Sequence, residues 1–286
     1  MRNGDITWRP MRLEDVNAGL SLSMAEGWNQ TTQDWVFLIT DTNHICLAAI
    51  LDDKIIGTIA AINYSNRIAW LGMVLVDKNH RGQGVSTTLL TEILKQVHEC
   101  KSIKLDATPA GYEIYQKLDF NVEHLISRMI LPSVRPDIVA EHNDLVPMDD
   151  QHLTAVIALD KFTFGADRSP LIRYLFLQHP SLAFMLERQD KVVGFSLGRP
   201  GYKYHHIGPV VAQSTADAKT IIANVLQRLI RQSVVIDVLN HQAELIIWLE
   251  SIGFEPQRQF KRMYRKDSCI NGNLNHQFLI CGPEFG

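Results

Sequence analysis

The stretch Leu71-Gly72-Met73-Val74-Leu75-Val76-Asp77-Lys78-Asn79-His80-Arg81-Gly82-Gln83-Gly84-Val85-Ser86-Thr87-Thr88-Leu89-Leu90 decides how the rest of the chain is read. An apolar run of strand character passes through Arg81-Gly82-Gln83-Gly84 straight into a helical pattern. The two glycines permit a sharp turn and a close backbone approach to a ligand. The first N–H groups of the helix have no partner within it and stand at its positive end. Arg81 adds a cation, and Ser86 and Thr87 add hydroxyls. Together these are the parts of a pyrophosphate cradle. No lysine follows Gly84, so a phosphate loop of the G-x-x-x-x-G-K-[ST] type does not fit. A dinucleotide fingerprint lacks its third glycine, because Thr87 stands there, and this is not the first strand of a βαβ unit. On these residues alone, a strand–helix turn without a ligand stays open.

The flanking segments predict mixed α/β structure. Leu13–Ala25 has helical spacing, and Asp34 suits the cap of a helix beginning at Trp35. Ile45–Leu51 and Lys54–Ile62 read as a hairpin with Asp52-Asp53 in its turn. Ala69–Val76 reads as a buried strand and Val85–Cys100 as an amphipathic helix. Ser102–Ala107 is a strand, Ala110–Leu118 a helix and Val122–Leu131 a closing strand. The sheet is expected to be antiparallel early and parallel across the Val85–Cys100 helix. A second long helix is expected at Ala216–Gln232. The tail beyond Lys266 has no strong period and is left unplaced.

The chain also repeats itself. Asp53-Lys54-Ile55-Ile56-Gly57 returns as Asp190-Lys191-Val192-Val193-Gly194, and Pro10-Met11 as Pro147-Met148, both 137 residues on. Leu71-Gly72 returns as Ile207-Gly208 at 136, and Phe120 with Arg128-Met129 as Phe254 with Arg262-Met263 at 134. Five anchors in one order at nearly one offset imply duplication. The halves meet near Leu131-Pro132-Ser133-Val134-Arg135-Pro136, where two prolines suit an extended linker. This gives two similar domains, residues 1–132 and residues 133–286.

Composition bounds the function. The 286 residues are 46% hydrophobic and 21% charged, enough for a core without metals or disulfides. A net charge of −3 argues against nucleic acid and against anionic membrane as partners. Cys46, Cys100, Cys269 and Cys281 are scattered, which suits a reducing compartment and offers no metal-ligand spacing. Met1-Arg2-Asn3-Gly4-Asp5 opens no apolar leader. No apolar run reaches the ~20 residues of a membrane span. A cytoplasmic protein is expected.

Two motifs together carry a family resemblance. Val74-Leu75-Val76, four intervening residues and Arg81-Gly82-Gln83-Gly84-Val85-Ser86 resemble the acyl-CoA signature of the GNAT N-acetyltransferases. Ala110-Gly111-Tyr112-Glu113-Ile114-Tyr115-Gln116-Lys117-Leu118-Asp119-Phe120 resembles that family's later helix, which ends in Tyr-x-x-x-Gly-Phe. Gly27-Trp28-Asn29, Asp34, Leu105-Asp106-Ala107-Thr108, Phe164-Gly165-Ala166-Asp167-Arg168 and Gly208-Pro209-Val210-Val211-Ala212 look like tandem bacterial members. In these, a typical first domain binds acetyl-CoA and the second is divergent. The resemblance implies an α/β (α+β) fold, with two tandem acyl-CoA N-acyltransferase domains. Each would be a mixed, partly splayed sheet flanked by helices.

It also implies roles. The backbone of Val74-Leu75-Val76 would pair with the pantetheine arm of acetyl-CoA, a form of β-augmentation. The amides of Gly82, Gln83, Gly84, Val85 and Ser86 would hold its pyrophosphate, and Arg81 either touches a phosphate or forms a salt bridge. Tyr115 would protonate the departing thiolate, since a phenol is protonated at neutral pH; its alternative is a packing role, with Tyr112 in reserve. Trp28 and Asn29 would border the acceptor. The base is not legible among Glu26, Asp34, His205, His206 and Asp237. Ser86 stands where the family usually has Gly or Ala, and Asp119 where it usually has Gly before Phe. The second half has Ser214-Thr215-Ala216-Asp217 for its phosphate loop and Leu249 for Tyr115. A single cofactor site is therefore expected, in a monomer whose second half completes the cleft for a small-molecule amine. A non-catalytic acyl-CoA sensor and an interaction protein are the competing functions.

Overall fold

In the computed structural model, residues 6–138 and 145–286 are described; residues 1–5, read above for a leader, lie outside them. The first half runs β1 (Thr7–Pro10), α1 (Val16–Ala25), α2 (Thr32–Thr40), β2 (His44–Leu51), β3 (Lys54–Tyr64), β4 (Ile68–Val76), α3 (Val85–Gln96), β5 (Ser102–Ala107), α4 (Tyr112–Gln116) and β6 (Asn121–Leu131). The second runs β7 (Leu145–Pro147), α5 (Leu153–Phe164), α6 (Ser169–Gln178), β8 (Phe184–Arg188), β9 (Lys191–Arg199), β10 (His205–Val211), α7 (Thr215–Gln227), β11 (Val234–Leu239), α8 (Ala243–Ser251), β12 (Glu255–Lys266) and β13 (Gln277–Leu279).

The sequence repeats fold alike. Asp52 and Asp53 turn the β2–β3 hairpin at φ +47° and +60°, and Gln189 and Asp190 turn β8–β9 at +52° and +56°. Met11 N donates to Cys46 O at 2.8 Å, and Met148 N to Ala183 O at 2.9 Å. Phe120 N donates to Tyr115 O, and Phe254 N to Leu249 O, at 3.1 and 3.0 Å. Asp119 holds φ +63° where its counterpart is Gly253 at +102°. The turn is therefore made without the family's glycine, at a residue type that tolerates the left-handed region.

All strands join one sheet in the order β1-β2-β3-β4-β5-β12-β6-β11-β13-β10-β9-β8-β7. β4 and β5 are parallel across α3, as the sequence predicts. The closing strands are exchanged: β12 of the second half lies against β5, and β6 of the first lies against β11. Two equivalent ion pairs lock the exchange. Arg128 on β6 grips Asp237 on β11 through Nε and Nη2, both at 2.8 Å. Arg262 on β12 grips Asp106 on β5 at 2.8 and 2.9 Å. Both pairs are buried and bidentate, the strong arrangement for arginine and carboxylate.

One face of the first half is covered by α3 and α4, with Leu89, Leu90, Ile93 and Tyr115 in the core. On the other face, residues of both halves share a core, including Trp35, Trp70, Leu175 and Phe195. Asp34 does not cap a helix starting at Trp35. The helix begins at Thr32 with Thr31 as cap, and Asp34 closes a capping box by accepting from Thr31 N at 2.8 Å. The helices read as Val85–Cys100, Ala110–Leu118 and Ala216–Gln232 end or start earlier or later than their apolar spacing, as Val85–Gln96, Tyr112–Gln116 and Thr215–Gln227. The unplaced tail forms β13 and then lies on the first half. Trp70 Nε1 donates to Pro283 O at 2.9 Å, and Tyr64 OH to Phe285 O at 2.8 Å.

Candidate active site

β4 and β5 pair only from Ile68 to Leu71. Beyond that point they splay, leaving the Val74–Val76 edge of β4 unpaired on the β5 side. A bulge accompanies the splay: Met73 and Val74 stand opposite the single residue Ile59. Met73 takes φ +54°, and its carbonyl accepts from Thr58 Oγ1 at 2.9 Å. The bulge thus takes Met73 out of the regular ladder with β3.

The chain then enters the glycine loop. Gly82 and Gly84 have φ +76° and +80°, and a Cβ at either meets nothing within 4 Å. Gly84 is the N-cap of α3, with no capping side chain and no acidic residue in the first turn. The N-terminal amides of α3 thus face an open, unopposed space. Pyrophosphate fits this cradle in charge and in room. Arg81 is tied instead to Glu26 by an ion pair and to Val76 O at 3.3 Å.

Loop and splay open on one cavity of about 320 Å³. Val74, Leu75, Val76, Arg81, Gly82, Gly84, Val85 and Ser86 line it; Gln83 is exposed and outside the lining. Tyr115 lines it from α4, packed edge-on to Phe120 at 6.0 Å. Burial pushes its phenol above the usual value, so it stays protonated at neutral pH. Its hydroxyl has no hydrogen-bond partner among the described residues.

Trp28 lines the cavity, but Asn29 does not. The Asn29 carboxamide is committed to the second half, donating to Tyr204 O at 2.9 Å and accepting from Lys203 N and Tyr204 N. Gln30 takes the place at the cavity expected of Asn29. Of the five base candidates, only Glu26 stands at the cavity. Asp34 is held by Arg199 and Tyr174, and Asp237 by Arg128 and His206, which keep the Asp237 carboxyl far below the usual range. His206 is buried and His205 half-buried beside His179, and burial lowers both pKa values.

The second half supplies Arg258, Phe260, Pro283 and Glu284 to this wall. Sequence reasoning missed them. Arg258 and Phe260 arrive through the strand exchange. Pro283 and Glu284 arrive on the unplaced tail, where Gly72 admits the Glu284 backbone: a Cβ there would lie 3.1 Å from its Cα and O. Burial pushes Asp106 above the usual carboxylate range, opposed by Arg262.

The equivalent cleft of the second half is filled. β13 lies between β10 and β11, pairing Val210 with Leu279 and Val238 with Leu279. At the start of α7, Ser214 caps by accepting from Asp217 N, and Asp217 binds Arg188. Among the described residues no group of three or more His, Cys, Asp or Glu is arranged to hold a metal. Nor is any helix there long and apolar enough to cross a membrane.

A splayed sheet, a bulged strand and an unopposed helix N-terminus meet in one open cleft of the first half. Comparison with known proteins gives the family. Residues 13–120 match the model of the acetyltransferase (GNAT) family, and residues 156–279 match an acetyltransferase (GNAT) domain. The chain belongs to the GNAT family, with two such domains in tandem, and is a transferase. It is similar to a holothin acyltransferase from Pseudoalteromonas sp. (strain SANK 73390), 25% identical over 91% of this chain and 88% of that one. A putative acetyltransferase from Pyrococcus horikoshii superposes with TM-score 0.82 at 21% identity, covering 98% of this chain and 96% of that one. A tandem GNAT protein from the clavulanic acid biosynthesis pathway gives 0.67 at 11% identity, covering 92% and 98%.

Proposed function

We propose that the protein transfers an acetyl group from acetyl-CoA to the primary amine of a small molecule or amino acid, by direct attack in a ternary complex. The observation that carries this reading is the continuity of one cavity. It runs from the open Gly82–Ser86 loop, along the free edge of β4, to Tyr115. In this reading the amides of Gly82, Gln83, Gly84, Val85 and Ser86 hold the pyrophosphate. Val74 and Val76 pair with the pantetheine arm. The neutral amine attacks the thioester carbonyl, and a backbone amide of Met73–Val76 stabilises the oxyanion. The C–N bond forms, the C–S bond breaks, and Tyr115 gives its proton to the thiolate. The proton lost by the amine passes to Glu26 or to water.

Trp28 borders the acceptor, and the second half closes its cavity without a donor site of its own. The fused halves imitate a two-fold dimer, so the working unit is a monomer. The protein acts in the cytoplasm without nucleic-acid or membrane partners.

A thermal-shift titration with acetyl-CoA on wild type and Gly84→Glu, paired with a CoA-release assay on a panel of amines, tests the reading. Donor at about a hundred times its Kd adds about 2.7 kcal/mol to wild type. The reading predicts that this shift vanishes in the variant. A wild type that neither shifts nor releases CoA refutes it.

A further inference from the structure

The charges lining the cavity are nearly all paired. Glu26 faces Arg81, Asp106 faces Arg262, and Glu284 faces Arg199. Each carboxylate of the wall thus has an arginine of its own. A polycationic acceptor needs unpaired carboxylates, and this wall offers it none among the described residues. Among the arginines, Arg81, Arg128, Arg199 and Arg262 are likewise engaged. Arg258 differs: it lines the cavity, is exposed, and has no hydrogen-bond or ion-pair partner among the described residues.

Its place in the sheet says what it faces. From Arg258 to Arg262, β12 keeps a regular register with β6. Lys261 Nζ lies 3.5 Å from the Tyr112 ring centroid, on the α4 face. The Arg262 guanidinium lies 4.6 Å from the Trp70 ring centroid, on the other face. Side chains alternate along a strand, so Arg258 and Phe260 share the Arg262 face. That face is opposite to α4, and the Glu26–Gln30 turn also walls the cavity. Gln30 gives a second observation. It is 4% exposed, lines the cavity, and its Oε1 is buried without a hydrogen-bond partner. Buried polar atoms are nearly always satisfied, so one left open beside a cavity points to a ligand N–H.

Resting on the acetyl-transfer reading, we propose that the acceptor is an amine that also carries an anionic group. Arg258 binds the anion, and Gln30 Oε1 accepts an N–H of the amine. A carboxylate and a phosphate ester share this chemistry.

CoA release is measured with amino acids, each beside its amide and its decarboxylated amine, and with aminoalkyl phosphates, polyamines and neutral amines. Amines with a carboxylate or a phosphate are expected to exceed their uncharged analogues at least tenfold in kcat/KM, and the better arm identifies the anion. Arg258→Gln is expected to raise KM for the best substrate at least tenfold, with kcat and the acetyl-CoA thermal shift nearly unchanged. Arg258→Lys should recover part of the loss. Equal turnover of acids and amides, or a preference for polyamines or neutral amines, overturns this proposal and leaves acetyl transfer standing. An unchanged KM in Arg258→Gln does the same. A wild type without an acetyl-CoA shift, or with a shift but no turnover of any amine, overturns the acetyl-transfer reading and this proposal with it.

Discussion

The N-termini of α3 and α7 hold equivalent places in the two halves, and their electrostatics are opposite. At α3 the cap is Gly84, no side chain caps the helix, and no acid stands in the first turn. At α7 Ser214 caps the helix, and Asp217 puts a carboxylate in its first turn. The strands before them differ in the same sense. Both are bulged, β4 at Met73-Val74 and β10 at Gly208-Pro209. Met73 keeps an amide N–H, which Pro209 lacks. The gap-facing edge of β4 is free, whereas β10 is paired there with β13. Tyr115 becomes Leu249, which has no proton to give. Hairpins and closing turns recur in both halves because packing constrains them, whereas only ligand chemistry constrains a helix N-terminus, so the two ends are free to diverge.

The largest expected effect tests what both halves share. Arg128→Met strands the buried Asp237 and should cost about 3–5 kcal/mol of stability by denaturant unfolding. Arg262→Met should do the same through Asp106. Adding Asp237→Leu to Arg128→Met should recover most of the loss. Unequal losses from the two arginines would break the equivalence.

Next is the difference in chemistry. Tyr115→Phe should lower kcat at least a hundredfold, within the usual range for a lost acid, and leave acetyl-CoA affinity unchanged. Gly84→Glu should remove the acetyl-CoA thermal shift, worth about 2.7 kcal/mol at a hundred times Kd. Calorimetry on wild type should give one acetyl-CoA per chain; two would refute the contrast between the halves. Ser214→Ala should cost about 1 kcal/mol of stability as a lost cap, without effect on donor binding.

The smallest effect is a pH slope. Burial lowers the His124 pKa from the usual 6.5 to about 4. The unfolded chain then binds the proton first as pH falls. Stability from neutral His124 is complete above pH 6.5 and is lost progressively toward pH 4. His124→Asn should flatten the decline of Tm over that window.

The legible part of the molecule was the local part. The glycine loop, the β2–β3 hairpin and the Tyr115 helix declare themselves through spacing and turn chemistry within a few residues, and the duplication through local anchors that recur at one offset. The sequence points to Asn29 where the cavity is lined by Gln30, since a turn residue does not announce which neighbour points at a cavity. Asp34 has the pattern of a cap yet closes a box begun three residues earlier, because both roles want an acid near a helix start.

By itself the sequence determined two similar α/β halves, a glycine loop before α3 whose counterpart before α7 has no glycine, and Tyr115 where the other half has Leu249. The tertiary structure alone decided that β6 and β12 change places, that β13 fills the second cleft, and that Arg258 and Glu284 cross over to wall the first. The reason is range. Caps, turns and periodicity act between near neighbours along the chain. Arg128 meets Asp237, and Arg262 meets Asp106, across 109 and 156 residues, and nothing in a local pattern encodes that partner.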